Sequence, residues 1–165
     1  MTITNPVGID AEIQKLQATF LARLFVGKLY SSHGRAFLNS HDQGVIPEVY
    51  DGASEYQEVL LDDTRDAISF FTVNPEMEIK LREATAQVDI YFFVNLAAIF
   101  AYTHRATEEV HILVLKEINN SSFQAYRLIQ GTEAIKEFEI RRPELMNMEP
   151  FYVFKFQTKI TFKLC

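Results

Sequence analysis

Tryptophan is absent, cysteine occurs once, and there are only six glycines and five prolines in 165 residues. The single cysteine, Cys165, is the last residue, so no internal disulfide forms and no cysteine-based zinc site is available. Its place at the chain end leaves it without an activating neighbour, and it is set aside as a nucleophile. The sparse glycine fits the absence of a GxGxxG fingerprint, a P-loop or a GxSxG elbow, and no HExxH is present. The start, MTITNPVGID, lacks the basic and apolar regions of a signal peptide. The most apolar window, VDIYFFVNLAAIFAY, is too short to span a bilayer as a helix and carries Asp89 and Asn95. No membrane association is expected. A dense basic patch is also missing, which argues against a nucleic-acid binder.

What is present is an ordinary globular balance, 48% hydrophobic and 23% charged, with an unusual load of 14 phenylalanines. Length and composition predict a single domain over 1–165 with a core that needs no disulfide or metal. The net charge of −6 is unevenly spread. Residues 51–90 carry ten acids against three bases, and residues 91–165 carry eight acids against nine bases. An acidic middle and a mildly basic end can steer subunits into register.

Periodicity sets out the elements. Ile13, Leu16, Phe20 and Leu24 form a buried stripe, widened by Leu21 and Phe25, and predict a helix over 10–30 with Asp10 as N-cap. The polar stretch 31–44 reads as a loop, part of an extended loop and hairpin region over 31–66. Short strands are expected at 45–50 and 55–61, and a firmer one at 67–73. Residues 76–86 read equally as an extended edge or a helical turn. QVDIYFFVN, 87–95, predicts a central strand. Residues 96–102 read as a short helix or irregular link, and Val110, Leu113, Val114 and Ile118 predict a second long helix over 103–118. His104 and Arg105 are expected at its start. A short helix is expected at 132–139. The chain closes on FYVFKFQTKITFKLC, whose alternation sets Tyr152, Phe154, Phe156, Ile160, Phe162 and Leu164 on one face and Lys155, Lys159 and Lys163 on the other. The expected fold class is α+β, a mostly antiparallel β-sheet packed on one face by two main amphipathic helices.

No reaction is legible in these residues. His33, His41, His104 and His111 lack the convergent spacing of a metal site, and no metal or cofactor is expected. Asp62, Asp63 and Asp66 cluster in a turn region and read first as a solvated loop. The best candidate surface joins Arg141 and Arg142 to Lys155, Lys159 and Lys163. The three lysines either guard an exposed strand edge or meet an acidic neighbour, for which Asp51, Glu55 and Glu58 are the natural partners.

The stretches DAEIQKLQATFLARLF, DIYFFVNL, THRATEEVHILVLKEI and FYVFKFQTKITFKL, in that order, resemble the layout of the tail terminator and tail completion proteins of tailed bacteriophages. The likeness is one of layout across most of the chain, not of a motif. It implies a structural virion protein without a catalytic signature. Such a protein is a subunit of a hexameric or larger ring in the neck or tail, assembled in the host cytoplasm, that caps the tail tube or joins it to the head. It implies other neck and tail proteins as partners and a lumen through which DNA passes without specific binding, with Asp62, Asp63 and Asp66 as candidate lumen-facing acids. Two other classes stay open: a small α+β enzyme or ligand-binding protein with a pocket against the sheet, and a peptide-binding adaptor or chaperone-like protein that uses a strand edge.

Overall fold

The structure, a computed structural model, describes residues 4–42, 44–50, 56–60, 62–102, 104–139 and 151–164. In chain order the elements are α1 (Ile9–Arg23), β1 (Tyr30–Arg35), β2 (Phe37–His41), β3 (Gly44–Tyr50), β4 (Tyr56–Glu58), β5 (Ala67–Lys80), β6 (Glu83–Asn95), α2 (Leu96–Ile99), α3 (Ala106–Asn119), β7 (Phe123–Gln130), a 3-10 turn (Gly131–Ile135) and β8 (Phe151–Lys163). The strands form a five-stranded sheet in the order β1-β5-β6-β8-β7 and a three-stranded sheet in the order β2-β3-β4. Only the β1–β5 pair is parallel. The fold is α+β, as the sequence predicts.

The alternation of the long strands divides the core in two. One face of the large sheet presents Phe71 from β5, Val88, Ile90, Phe92 and Val94 from β6, and Phe154, Phe156 and Ile160 from β8. Against it pack Ile13, Leu16 and Phe20 of α1 and Val110, Val114 and Ile118 of α3. Phe20 stacks on Phe71 at 6.0 Å and meets Phe92 edge-on at 5.5 Å, while Phe92 stacks on Phe154 at 5.1 Å. The opposite face is apolar too. Ile68, Phe70, Tyr91, Phe93 and Val153 are covered by Ala134, Ile135 and Phe138 of the 3-10 region and by Val59 and Leu60 after β4. The second face of β6 therefore finds its partner within the chain.

Several expectations are corrected. The long first helix stops at Arg23: Leu24 is already extended and Phe25 has φ 52°, which turns the chain so that Phe25 meets Tyr30 edge-on at 5.1 Å. Leu21 and Leu113 are exposed and do not belong to the buried stripes. Asp10 lies inside α1, and Gly8 is its N-cap at φ 58°, where an added Cβ would come within 3.2 Å of the Phe162 ring. The stretch 31–44 is mostly strand, and 76–86 continues the β5–β6 hairpin. β7 is a strand that the sequence reading did not contain. Within 132–139 only a 3-10 turn forms, over Gly131–Ile135. The closing strand is not an edge: β8 lies between β6 and β7.

Candidate functional site

Two places bring together residues with chemical potential, and a third presents apolar surface to solvent.

The first is a pocket of about 420 Å³ between the N-terminal half of α1, β1 and the small sheet. Helical spacing turns Asp10, Ile13, Gln14 and Gln17 toward it. β1 contributes His33, Gly34 and Arg35, and the small sheet contributes Phe37, Val49, Tyr50 and Tyr56. The rings form an aromatic rim: Phe37 and Tyr56 meet at 6.2 Å and 87°, and Tyr50 and Tyr56 at 5.5 Å and 61°. The Arg35 guanidinium carbon lies 5.4 Å from the Phe37 ring centre, a cation–π contact, and Nη1 is 3.6 Å from Asp10 Oδ1. At that distance the pair is ionic and not a hydrogen bond. Asp10 Oδ1 accepts no hydrogen bond among the described residues. Burial holds His33 below the ordinary histidine range, so it is neutral at pH 7, and Gln17 is fixed by its bond to the Ser32 carbonyl at 2.6 Å. The pocket thus offers flat aromatic walls and one ion pair, in which Asp10 Oδ1 is buried while the rest of the side chain is partly exposed.

The second is a charged cluster on the other face of the large sheet. Lys155 Nζ lies 2.9 Å from Asp89 Oδ2, 3.2 Å from Glu137 Oε1 and 3.2 Å from the Tyr91 hydroxyl, and its amine sits 4.9 Å from the Tyr91 ring centre. Tyr91 donates to Glu137, and burial, reinforced by that carboxylate, pushes its hydroxyl pKa well up. The cluster ties the 3-10 region to the sheet through Glu137, which is a structural role. Lys155 is only 4% exposed. The expectation that it faces outward with Lys159 and Lys163 is therefore overturned, because the second core layer and two carboxylates cover its end of β8.

The remaining predicted residues scatter. Lys159 is exposed, over the Tyr126 ring at 5.5 Å, and Lys163 is exposed opposite Glu83. At Lys159 β8 is internal and the role of edge guard falls; β7 pairs only as far as Ile160, so at Lys163 one side of β8 has no ladder partner among the described strands. Glu58 ends β4 opposite Glu48. Asp62 Oδ1 accepts from the Thr64 backbone at 2.9 Å and hydroxyl at 2.6 Å, and Asp66 Oδ2 accepts from the Leu29 backbone at 2.8 Å. These two acids are engaged, and Asp66 latches the turn before β1. Asp63 is exposed in the same turn. Asp51, Glu55, Arg141, Arg142 and Cys165 lie outside the described residues. The histidines do not converge: His41 pairs with Glu48, His104 lies against Tyr102, and His111 meets the Tyr152 hydroxyl at 3.1 Å. Among the described residues no group of three or more His, Cys, Asp or Glu is placed to hold a metal ion, and no helix is long and apolar enough to cross a membrane.

The third feature is the distal half of the β5–β6 hairpin. β1 pairs with β5 only as far as Phe71, so from Val73 onward one edge of β5 has no ladder partner among the described strands. Cross-strand register puts Met77, Ile79, Ala84, Ala86, Ile160 and Phe162 on one face. The inner members are covered, but Ile79 is 67% exposed and Leu81, at the tip, is fully exposed. Sequence reasoning missed both pocket and arm. The aromatics of the pocket come from stretches with no clear period, and the sequence of 76–86 fits an extended edge and a helical turn equally.

No protein-family model matches the chain, and no curated protein matches it in sequence.

Proposed function

We propose that this protein is a structural subunit that assembles with copies of itself into a ring in the neck or tail of a tailed bacteriophage, where it caps the tail tube or joins it to the head. The observation that carries the assembly is the β5–β6 arm. Its exposed row of Met77, Ile79 and Leu81 lies beside an open strand edge. Apolar side chains on such an edge gain about 25 cal/mol for each Å² taken from water, and none of the described residues covers Ile79 or Leu81. An unpaired edge adds main-chain donors and acceptors to the same contact. The phage setting comes from the layout resemblance. Other neck and tail proteins are its further partners, and the virion is its location. The turn holding Asp62, Asp63 and Asp66 is placed at the lumen in this reading, where negative charge lets DNA pass without sticking. Lys159 and Lys163 remain as an exposed basic pair for a neighbour's acidic segment.

Sedimentation across a concentration series, with electron microscopy of the largest species, tests this. The parent chain forms a closed ring, and a double variant M77E and I79E assembles at least about tenfold more weakly with an unchanged melting temperature. Parent and variant that both remain monomers throughout would sink the reading. The aromatic pocket favours a second reading, a monomeric ligand-binding protein; a monomer that is stabilised against heat by a small aromatic compound would support it instead.

A further inference from the structure

Leu81 stands at the tip of the β5–β6 hairpin with φ 55° and no burial at all. Lys80 and Glu83 are the last pair of the ladder, so Leu81 and Arg82 alone make the turn. Positive φ at such a turn favours Gly or Asn, because an L side chain crowds its own backbone there. A leucine in this place is strained, and it gains nothing from the chain that carries it. Backbone strain without a local return points to a function outside the monomer. The turn itself is short: β8 runs beside β6 as far as Lys163, and the Leu164 N–H bonds the Arg82 carbonyl at 2.8 Å, so only Leu81, flanked by the cations Lys80 and Arg82, stands clear of the sheet.

The aromatic pocket offers the complementary surface. Phe37, Tyr50 and Tyr56 suit an aliphatic side chain in contact and a cation against a ring face. The Asp10 side chain keeps 30% of its surface exposed, and its carboxylate can accept from an incoming lysine or arginine beside Arg35. The cavity of about 420 Å³ falls within the range of about 300–1,000 Å³ typical of sites that enclose a ligand. The two features cannot meet within one copy. Arg35 at the pocket is level with Phe71 on β5, and Leu81 lies ten residues farther along, about 30 Å at strand rise.

We propose that the Lys80–Leu81–Arg82 tip of one copy enters the aromatic pocket of the next, with Leu81 against Phe37, Tyr50 and Tyr56 and one of its flanking cations on Asp10. Tip and pocket are different surfaces, so the contact is head to tail and repeats around a ring when the rotation closes. The inference rests on the ring reading and names the contact that builds it.

Site-directed crosslinking tests it. Cys165 is replaced by serine in every chain. One preparation carries L81C and another carries F37C, with Y56C as a second acceptor should F37C fail to fold. The two are mixed under a mild copper–phenanthroline oxidant. The expected result is a disulfide-linked heterodimer in the mixture, at least tenfold more abundant than in either preparation alone and lost with R82E and K80E added to the tip chain. A parent chain that forms its ring while neither acceptor crosslinks overturns the tip-in-pocket contact and leaves the ring reading standing. A chain that stays monomeric and does not crosslink overturns both.

Discussion

Lys155 and Lys159 stand on the same side of β8, four residues apart, in opposite surroundings. Lys155 lies under the second core layer between Asp89 and Glu137, and Lys159 lies in water beside Tyr126. Removing one partner of a buried pair leaves the other charges desolvated without compensation, usually at a cost of about 3–5 kcal/mol. The Glu137 side chain keeps 46% of its surface in water, which lowers the penalty. Lys155→Ala is expected to destabilise the fold by about 2–3 kcal/mol, and Lys159→Ala by less than about 0.5 kcal/mol. Urea titration of the two variants checks the contrast; equal midpoints would show that the Lys155 cluster contributes nothing. The alternation of apolar and basic residues in β8 was legible from the sequence, and so was the face that meets the helices. What lay beyond it was the layer on the lysine side. That layer is supplied by Val59, Leu60, Ala134, Ile135 and Phe138, from two segments distant in sequence.

At the scale of elements, the sequence was readable wherever one periodicity ran unbroken. β6, the start of β5 and the buried stripes of α1 and α3 are of this kind. β7 escaped because a register shift between Ala125 and Arg127 interrupts its alternation: Phe123 and Ala125 pack on the core, and the next inward residue is Leu128. β1 escaped because its inner contacts are polar. The Tyr30 hydroxyl meets Ser69 at 2.7 Å and Ser69 bonds Ser32 at 2.9 Å, with burial pushing the Tyr30 hydroxyl pKa up, so no hydrophobic pattern marks the strand. The candidate pocket depends on β1 and the small sheet, which is why it was not visible in advance. The α3–β8 contact carries a titration of its own. His111 packs edge-on to Phe154 at 4.8 Å, and burial holds its pKa below 6.5 although Glu108 acts in the opposite direction. Its partner Tyr152, pushed up to about 12, stays neutral. His33 is lowered in the same sense. Both groups bind protons more readily in the unfolded chain, so stability is full above pH 6.5 and falls as the pH drops from there toward the depressed folded values. Denaturation midpoints at pH 7.5 and 5 are expected to show that loss, and His111→Phe, which keeps a ring against Phe154, to make it shallower. A midpoint independent of pH over this interval would contradict the assignment.

For the whole molecule, the issue is what the arm does to the stability of one copy and to the contact between copies. The two quantities move in opposite directions at Leu81. In the monomer, leucine at φ 55° carries a backbone penalty of about 1–2 kcal/mol, and its exposed side chain gives no compensating burial. Glycine removes that crowding, although it also loosens the unfolded chain by about 0.5–1 kcal/mol. Leu81→Gly is therefore expected to leave the isolated chain as stable as the parent or to raise its stability by up to about 1 kcal/mol. In the assembly the same change deletes the side chain that fills the neighbour's aromatic pocket, and a buried leucine contributes about 1.5–3 kcal/mol to such a contact. The dissociation constant is then expected to rise by about tenfold or more. Measured together, by thermal melting at low concentration and by sedimentation at high concentration, the pair of effects separates two explanations of the exposed leucine. A surface accident improves on substitution in the first measurement and is silent in the second. A docking residue improves in the first and fails in the second, because its strain in the monomer is retained only for what the tip does between copies.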